Sequence, residues 1–260
     1  MSIVIEEGHN DQHAGFAKCF SCGWTGDFVD IAEYFGYEYQ PDYVEVSSSE
    51  SAEKPTSLTT QAAVYLKDMP YQYSKYLESR GIFEDVQKRN KVYERYDEQK
   101  VYLPVFDSKG QFLYANARAT NRKYFFIPEH IRKVIAGTEQ IDLGKPIAIV
   151  EAQISMMTLQ QAQYARAVAL LGATNAYAVR DIAKATGPFL LMLDNDEAGR
   201  KAATKILDIL GDYRCKVFVF PAGKDPNDIW QDVNFDQEKF CDLIDSYEVP
   251  TSWARENYCM

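Results

Sequence analysis

The chain has 260 residues, a mass of 29.7 kDa and a formal charge of −10, enough length to bury one large core beside a small appendage. No run of eighteen apolar residues occurs, and the N-terminal "MSIVIEEGHNDQ" carries acids where a signal peptide needs a basic start, so a membrane span and a secretion signal are excluded and a cytoplasmic, soluble protein is expected. The acidic balance weighs against indiscriminate adhesion to nucleic acid, although an average charge says little about any one groove.

In chain order, residues 1–23 read as a hairpin: "SIVIEE" alternates, "GHNDQHAG" is rich in turn formers, and "FAKCFSCG" returns toward Cys19 and Cys22. Asp27 is the expected N-cap of a helix through "FVDIAEYFG", stopped by Gly36. The polar, serine-rich stretch 42–60 reads as a flexible linker, so a domain boundary is expected there. Helices are expected in "TQAAVYLKDM" and in "YSKYLESRGI", the second ending at Gly81. "KVYLPVFDSKGQFLYANARA" reads as two strands joined by the turn "DSKG". From Pro146 apolar strands alternate with helices: "PIAIVEA", "SMMTLQQAQYA", "AVALLGA", "AYAVRDIAKAT", "PFLLMLDND", "EAGRKAATKILDIL" and "KVFVFP". That alternation predicts an α/β fold with a mostly parallel sheet covered on both faces. The tail "DQEKFCDLIDSYEVPTSWARENYCM" reads as an amphipathic helix with a short extension. The remaining cysteines, Cys215, Cys241 and Cys259, are scattered, which argues against a disulfide framework.

Two charge patterns stand out. Between Arg118 and Lys133 the chain holds Arg118, Arg122, Lys123, Arg132 and Lys133 against Glu129 alone, a local charge of +4. Glu151, Asp194, Asp196 and Asp225 each follow an expected parallel strand, and groups beyond the carboxyl ends of such strands share one crevice. Extended backbone between Asp194 and Asp196 would aim both carboxylates the same way, where their repulsion calls for a cation. Oxygen ligands without histidine suit Mg2+ or Mn2+. A single acid at a strand end is commonly a solvated loop residue; four at one edge make a site.

"VEAQISMMTLQQAQYARAVALLGAT", "LMLDNDEAGRKAATKIL" and "VFVFPAGKDPNDIW" together resemble the Toprim domain, the metal-binding fold shared by bacterial-type primases, topoisomerases and some nucleases. Ahead of it, "KCFSCGWTGDFVDI", "YLESRGI", "VYLPVFDSKGQF" and "ARATNRKYFFIP" resemble the segments that precede Toprim in primases, particularly those of tailed phages. The resemblance implies a partial zinc-ribbon-like module at 1–41, a linker at 42–60, a mixed α+β basic subdomain at 61–144, a Toprim domain at 145–232 and a helical extension at 233–260. It implies DNA-dependent synthesis of RNA primers on single-stranded DNA from nucleoside triphosphates, by two-metal nucleotidyl transfer. It makes Glu151 a general base or metal ligand, Asp194, Asp196 and Asp225 metal ligands, and Arg118, Arg122, Lys123, Arg200 and Lys224 the groups that hold nucleotide and DNA. Arg200 reads equally as a partner of the acids or a solvated helix residue.

Two departures qualify that picture. After the glutamate the family pattern is Gly-x-x-Asp, whereas Ala152 and Ser155 stand here, so a supporting acid is missing. Cys19 and Cys22 match only half of a zinc ribbon, and four ligands are needed to hold structural Zn2+. His9 and His13 lie on the turn side of the hairpin; at ~3.3 Å per residue, His13 stands about 20 Å from Cys19, too far to complete the site. A missing upstream segment, a misplaced start or loss of zinc are the open explanations, and two buried thiols the plain one. His130 reads as a surface residue, and Tyr124, Phe125 and Phe126 as strand core or as a base-stacking surface. No phosphate-binding "GKS" or "GKT" loop is present, so a separate helicase, or a missing C-terminal half, is expected. A Toprim nuclease and a catalytically silent nucleic-acid-binding protein are the alternatives.

Overall fold

The computed structural model describes residues 3–5, 17–19, 25–26, 71–122, 124–126 and 133–259. By internal contacts the chain divides into Met1–Lys54 and Pro55–Met260.

In the first unit β1 (Ile3–Ile5), β2 (Ala17–Cys19) and β3 (Thr25–Gly26) form an antiparallel sheet in that order. Ile5 pairs with Ala17 and Ile3 with Cys19, so Cys19 sits at the end of the hairpin away from its turn. His9, His13, Cys22, the helix expected after Asp27, the 42–60 stretch and the helix expected at 61–70 lie outside the described residues.

The second unit opens with two short helices, α1 (Lys75–Ser79) and α2 (Glu84–Arg89). Gly81 follows α1 with φ +74°, a left-handed turn that glycine adopts without steric cost. Four antiparallel strands come next: β4 (Tyr93–Arg95), β5 (Lys100–Phe106), β6 (Phe112–Ala119) and β7 (Phe125–Phe126). The turn between β5 and β6 is the expected one, because Asp107 Oδ1 accepts from the Lys109 and Gln111 amides at 2.9 and 2.8 Å.

The larger sheet has the order β12-β11-β10-β8-β9, built from β8 (Ile147–Val150), β9 (Arg166–Ala169), β10 (Phe189–Leu191), β11 (Cys215–Phe218) and β12 (Glu248–Val249). Its first four strands in the chain are parallel and β12 closes one edge antiparallel. Successive residues alternate between two cores. Ala148, Val150, Leu190 and Met192 pack with α3 (Gln153–Gln161), α5 (Pro226–Asp232) and α6 (Gln237–Asp245), while Ile147, Ile149, Phe189 and Leu191 pack with α4 (Glu197–Leu210) and α7 (Thr251–Asn257). Each fully buried aliphatic or aromatic side chain contributes about 1.5–3 kcal/mol, which is why strands covered on both faces are apolar throughout.

The first of these cores also takes Leu77, Val101, Leu103 and Val105 from the preceding lobe and Phe240 and Ile244 from the tail. The boundaries read at 144/145 and 232/233 therefore run through shared packing. Buried Asn227 ties the lobes polar-to-polar: its side chain accepts from Arg80 Nε at 2.8 Å and donates to Arg80 O at 3.0 Å and Thr158 Oγ1 at 2.8 Å.

Two elements differ from expectation. "AYAVRDIAKAT" is not an α-helix but part of a 3-10 run over Ala173–Ile182, interrupted at Asn175, whose side-chain amide donates to Leu170 O at 2.8 Å. The tail carries the edge strand β12 and the second helix α7 besides the expected α6. Among the described residues no helix is long and apolar enough to cross a membrane, and Cys215, Cys241 and Cys259 are free thiols.

Candidate active site

Glu151 directly follows β8 and Asp194 lies three residues beyond the neighbouring strand β10, the two acids being 43 residues apart in the chain. The Asp194 amide donates to Glu151 Oε1 at 3.2 Å, so the two acids meet as the strand order requires. Burial, and next the negative charge of Asp194, push the Glu151 carboxyl up to about 7; the Asp194 amide pulls the other way and Asp196 adds further repulsion. A carboxylate desolvated among other acids at the end of a parallel sheet is a strong mark of a functional site.

The backbone after β10 departs from the extended path expected for Asp194–Asp196. The Asp196 amide donates back to Asp194 O at 2.9 Å, closing a tight bend. Asp196 then serves as the N-cap of α4, its Oδ1 accepting from the Gly199 amide at 2.8 Å. Between them the Asn195 side chain donates to Phe220 O at 2.6 Å. Same-face projection at i and i+2 thus gives way to a bend that starts a helix. Among the described residues no three of the His, Cys, Asp and Glu side chains converge closely enough to hold a metal ion. The Glu151–Asp194 pair is the part of the expected constellation that is assembled, and its hard oxygens and mutual repulsion fit one Mg2+ or Mn2+ completed by water and substrate oxygens.

Asp225 has a different setting. It N-caps α5 in a capping box with Asp228, receiving the Asp228 amide at 2.8 Å, with Pro226 in the first turn. Burial raises its carboxyl, opposed by the Asp228 amide, and its charged neighbours are Asp228 and Arg80 rather than Glu151. Lys224 is ion-paired with Asp232 at 2.8 Å. Arg200 reaches Asn195 Oδ1 at 3.4 Å, beside the acids.

Sequence reading missed two contributors. Gly199, in the first turn of α4, is where helix and strand end touch: a Cβ there would lie 2.0 Å from Asp194 O and 2.8 Å from Glu151 Oε1. A glycine three residues after Asp-x-Asp was the available signal. Tyr258, from the tail, donates its hydroxyl to Asp194 O at 3.3 Å; no local pattern links it to a residue 64 positions earlier.

On the antiparallel lobe the Arg118 guanidinium lies 4.5 Å from the Phe125 ring centroid and donates to the Tyr76 hydroxyl at 3.1 Å. Arg122 lies 5.4 Å from the Tyr124 ring centroid. Tyr124 and Phe125 are exposed, 51% and 42%, so these two rings form a surface rather than strand core. Lys123, His130 and Arg132 lie outside the described residues, as does the Phe126 side chain.

Residues 148–230 match the model of a Toprim-like family. Over 167 residues the chain is 27% identical to the DNA primase of Pseudomonas aeruginosa, covering 57% of this chain and 25% of that protein. It is 29% identical over 145 residues to the DNA primase of Campylobacter jejuni, covering 50% and 24%. The chain thus spans about a quarter of the length of these relatives. Its fold is that of primase catalytic cores: the primase fragment of the bacteriophage T7 primase-helicase protein superposes with a TM-score of 0.58 at 22% identity, over 86% of this chain and 88% of that one. The zinc-binding and RNA polymerase domains of the Aquifex aeolicus primase superpose with a TM-score of 0.57 at 20% identity, over 98% and 82%. The Toprim-like match takes in Glu151, Asp194, Asp196 and Asp225 and ends before the tail.

Proposed function

We propose that this chain is the catalytic part of a DNA primase, joining ribonucleotides on a single-stranded DNA template. The observation that carries the reading is Glu151, desolvated against Asp194 where two adjacent parallel strands end. When bound, Mg2+ or Mn2+ would neutralise charge building on a phosphoryl oxygen and lower the pKa of the attacking 3'-hydroxyl. Asp194 and Glu151 would hold that ion with water and substrate oxygens, while Asp196, engaged as the α4 cap, adds negative charge close by. Glu151, held near neutrality, is suited to receive the proton of the attacking hydroxyl. Arg200 flanks the acids and would balance triphosphate charge, a role less open to Lys224 because of its pairing with Asp232.

The Arg118, Arg122, Tyr124 and Phe125 surface supports a primase over a Toprim nuclease: two guanidinium groups on exposed rings suit a nucleic acid strand, phosphates meeting charge and bases meeting flat faces. Lys123 belongs to the same proposed surface by its place in the chain. Cys19 and Cys22 as half of a zinc site that this chain does not complete, and cooperation with a separate helicase, are part of this proposal, as is a cytoplasmic location.

The test is incubation of the chain with single-stranded DNA, labelled ribonucleoside triphosphates and Mg2+ or Mn2+, with Asp194→Ala in parallel. Short RNA products that vanish in the variant are expected. Nicked template would mark a nuclease, and DNA binding without either product a silent module.

A further inference from the structure

The tail is built onto the site rather than trailing from it. Thr251 Oγ1 donates to Cys215 O at 3.1 Å, Arg255 is ion-paired with Asp208 and Asp212 at 2.7 Å each, and Thr204 Oγ1 donates to Cys259 O at 3.0 Å. Ala254 and Tyr258 are buried in the same core as Leu193, which precedes the Asp194–Asp196 bend, and Ala202 and Ala203 of α4, which follows it. These contacts bring the Tyr258 ring, 5% exposed, under the end of β10 with its hydroxyl on Asp194 O. That carbonyl also accepts from the Asp196 amide and is the atom against which Gly199 packs, so bend, helix start and tail converge on one oxygen.

From this convergence we infer that Tyr258 is a positioning residue: its hydroxyl, carried by a segment beyond the Toprim-like match, fixes the main chain of Asp194 and so the aim of the Asp194 carboxylate toward a divalent cation. Arg200, Glu151 and Asp194 are among the charged groups acting on that hydroxyl, which puts it at the edge of the acid pair. A phenylalanine would fill the same core volume and remove the hydroxyl's bond to that carbonyl while the Asp196 amide keeps its own. A bond to a buried carbonyl is modest in free energy, but a loosely held ligand weakens a site whose geometry must be held closely.

This inference rests on the proposed reading of Glu151 and Asp194 as cation ligands. The experiment is Mn2+ binding to the full chain by calorimetry, without nucleotide or DNA, for wild type, Tyr258→Phe and Asp194→Ala, with thermal melting of each. Tyr258→Phe is expected to weaken Mn2+ binding about five-fold, of the order that one such hydrogen bond supplies, to melt close to wild type, and in primer synthesis to raise the Mn2+ concentration for half-maximal rate while leaving the rate at saturating Mn2+ nearly intact. Wild-type Mn2+ affinity in Tyr258→Phe, with binding lost in Asp194→Ala, would overturn the role of Tyr258 alone. Mn2+ binding unchanged in Asp194→Ala would overturn the cation site itself. Should Tyr258→Phe melt far below wild type, a chain ending at Asn257 that still melts cooperatively and binds Mn2+ normally would also overturn the inference; weaker binding there would support it.

Discussion

Glu151 and Asp225 are acids of the same family-matched domain, each reached from the end of a strand of the large sheet, yet they answer to different physics. Asp225 has a complete local account: it caps α5, its partner Asp228 closes the box, and Arg80 lies within electrostatic reach. Glu151 has none. It caps no helix, and the groups acting on it are two carboxylates and backbone amides that only partly offset its burial. Burial raises both carboxyls; the difference is that Arg80 acts on Asp225 with opposite charge, whereas the charges acting on Glu151 are those of Asp194 and Asp196.

The comparison can be broken by measurement, beginning where the effect is largest. Gly199→Ala improves intrinsic helix propensity by about 1 kcal/mol, yet its Cβ meets Asp194 O at 2.0 Å. A net loss of about 3 kcal/mol is expected by chemical denaturation, and a gain would show that the strand end yields without cost.

Next comes pH. The Glu151 carboxyl is raised from 4.5 to about 7 in the folded chain, so the folded state holds its proton more tightly than the unfolded state. Stability from this group is then present below pH 4.5 and is lost as pH rises toward 7. Discounted for partial solvent screening, the loss is about 2 kcal/mol in metal-free buffer. Glu151→Gln should flatten that slope and melt higher than wild type at pH 8, while Mg2+ should raise the melting temperature of wild type more than that of the variant. Equal slopes would mean that Glu151 is as well compensated as Asp225.

Asp225→Ala is expected to do the reverse, lowering stability by about 1 kcal/mol through loss of the cap. If it instead abolished Mn2+ binding without loss of stability, Asp225 would belong with Glu151 after all. The smallest effect is that of Lys224→Ala, whose solvent-exposed pair with Asp232 should leave the melting temperature close to that of wild type; a large loss of nucleotide affinity in that variant would show the ion pair to be broken by substrate.

Much of the site could be read from sequence because it depends on short-range order: apolar runs ending in acids and Asp-x-Asp before a helix are local patterns. The hairpin turn at Asp107 was legible for the same reason, its hydrogen bonds spanning four residues. Harder were the features set by distant partners. The bend at Asp194–Asp196 replaces extended backbone where α4 starts, and the helix expected over 176–186 gives way to a 3-10 run kinked at Asn175, whose side chain binds Leu170 O. Tyr124 and Phe125 are exposed at the edge strand β7 and the residue before it, where the Arg122 and Arg118 guanidiniums lie over their rings.

Alone, the sequence determined the alternation of strands and helices, the parallel sheet buried on both faces and the acids at its strand ends, since periodicity and capping are properties of neighbours in the chain. Only the tertiary structure decided which acids touch, that Gly199 leaves room for them and that Tyr258 closes beneath them. Those outcomes depend on burial and on contacts between residues tens of positions apart, and no local pattern encodes how far a charge is withdrawn from water.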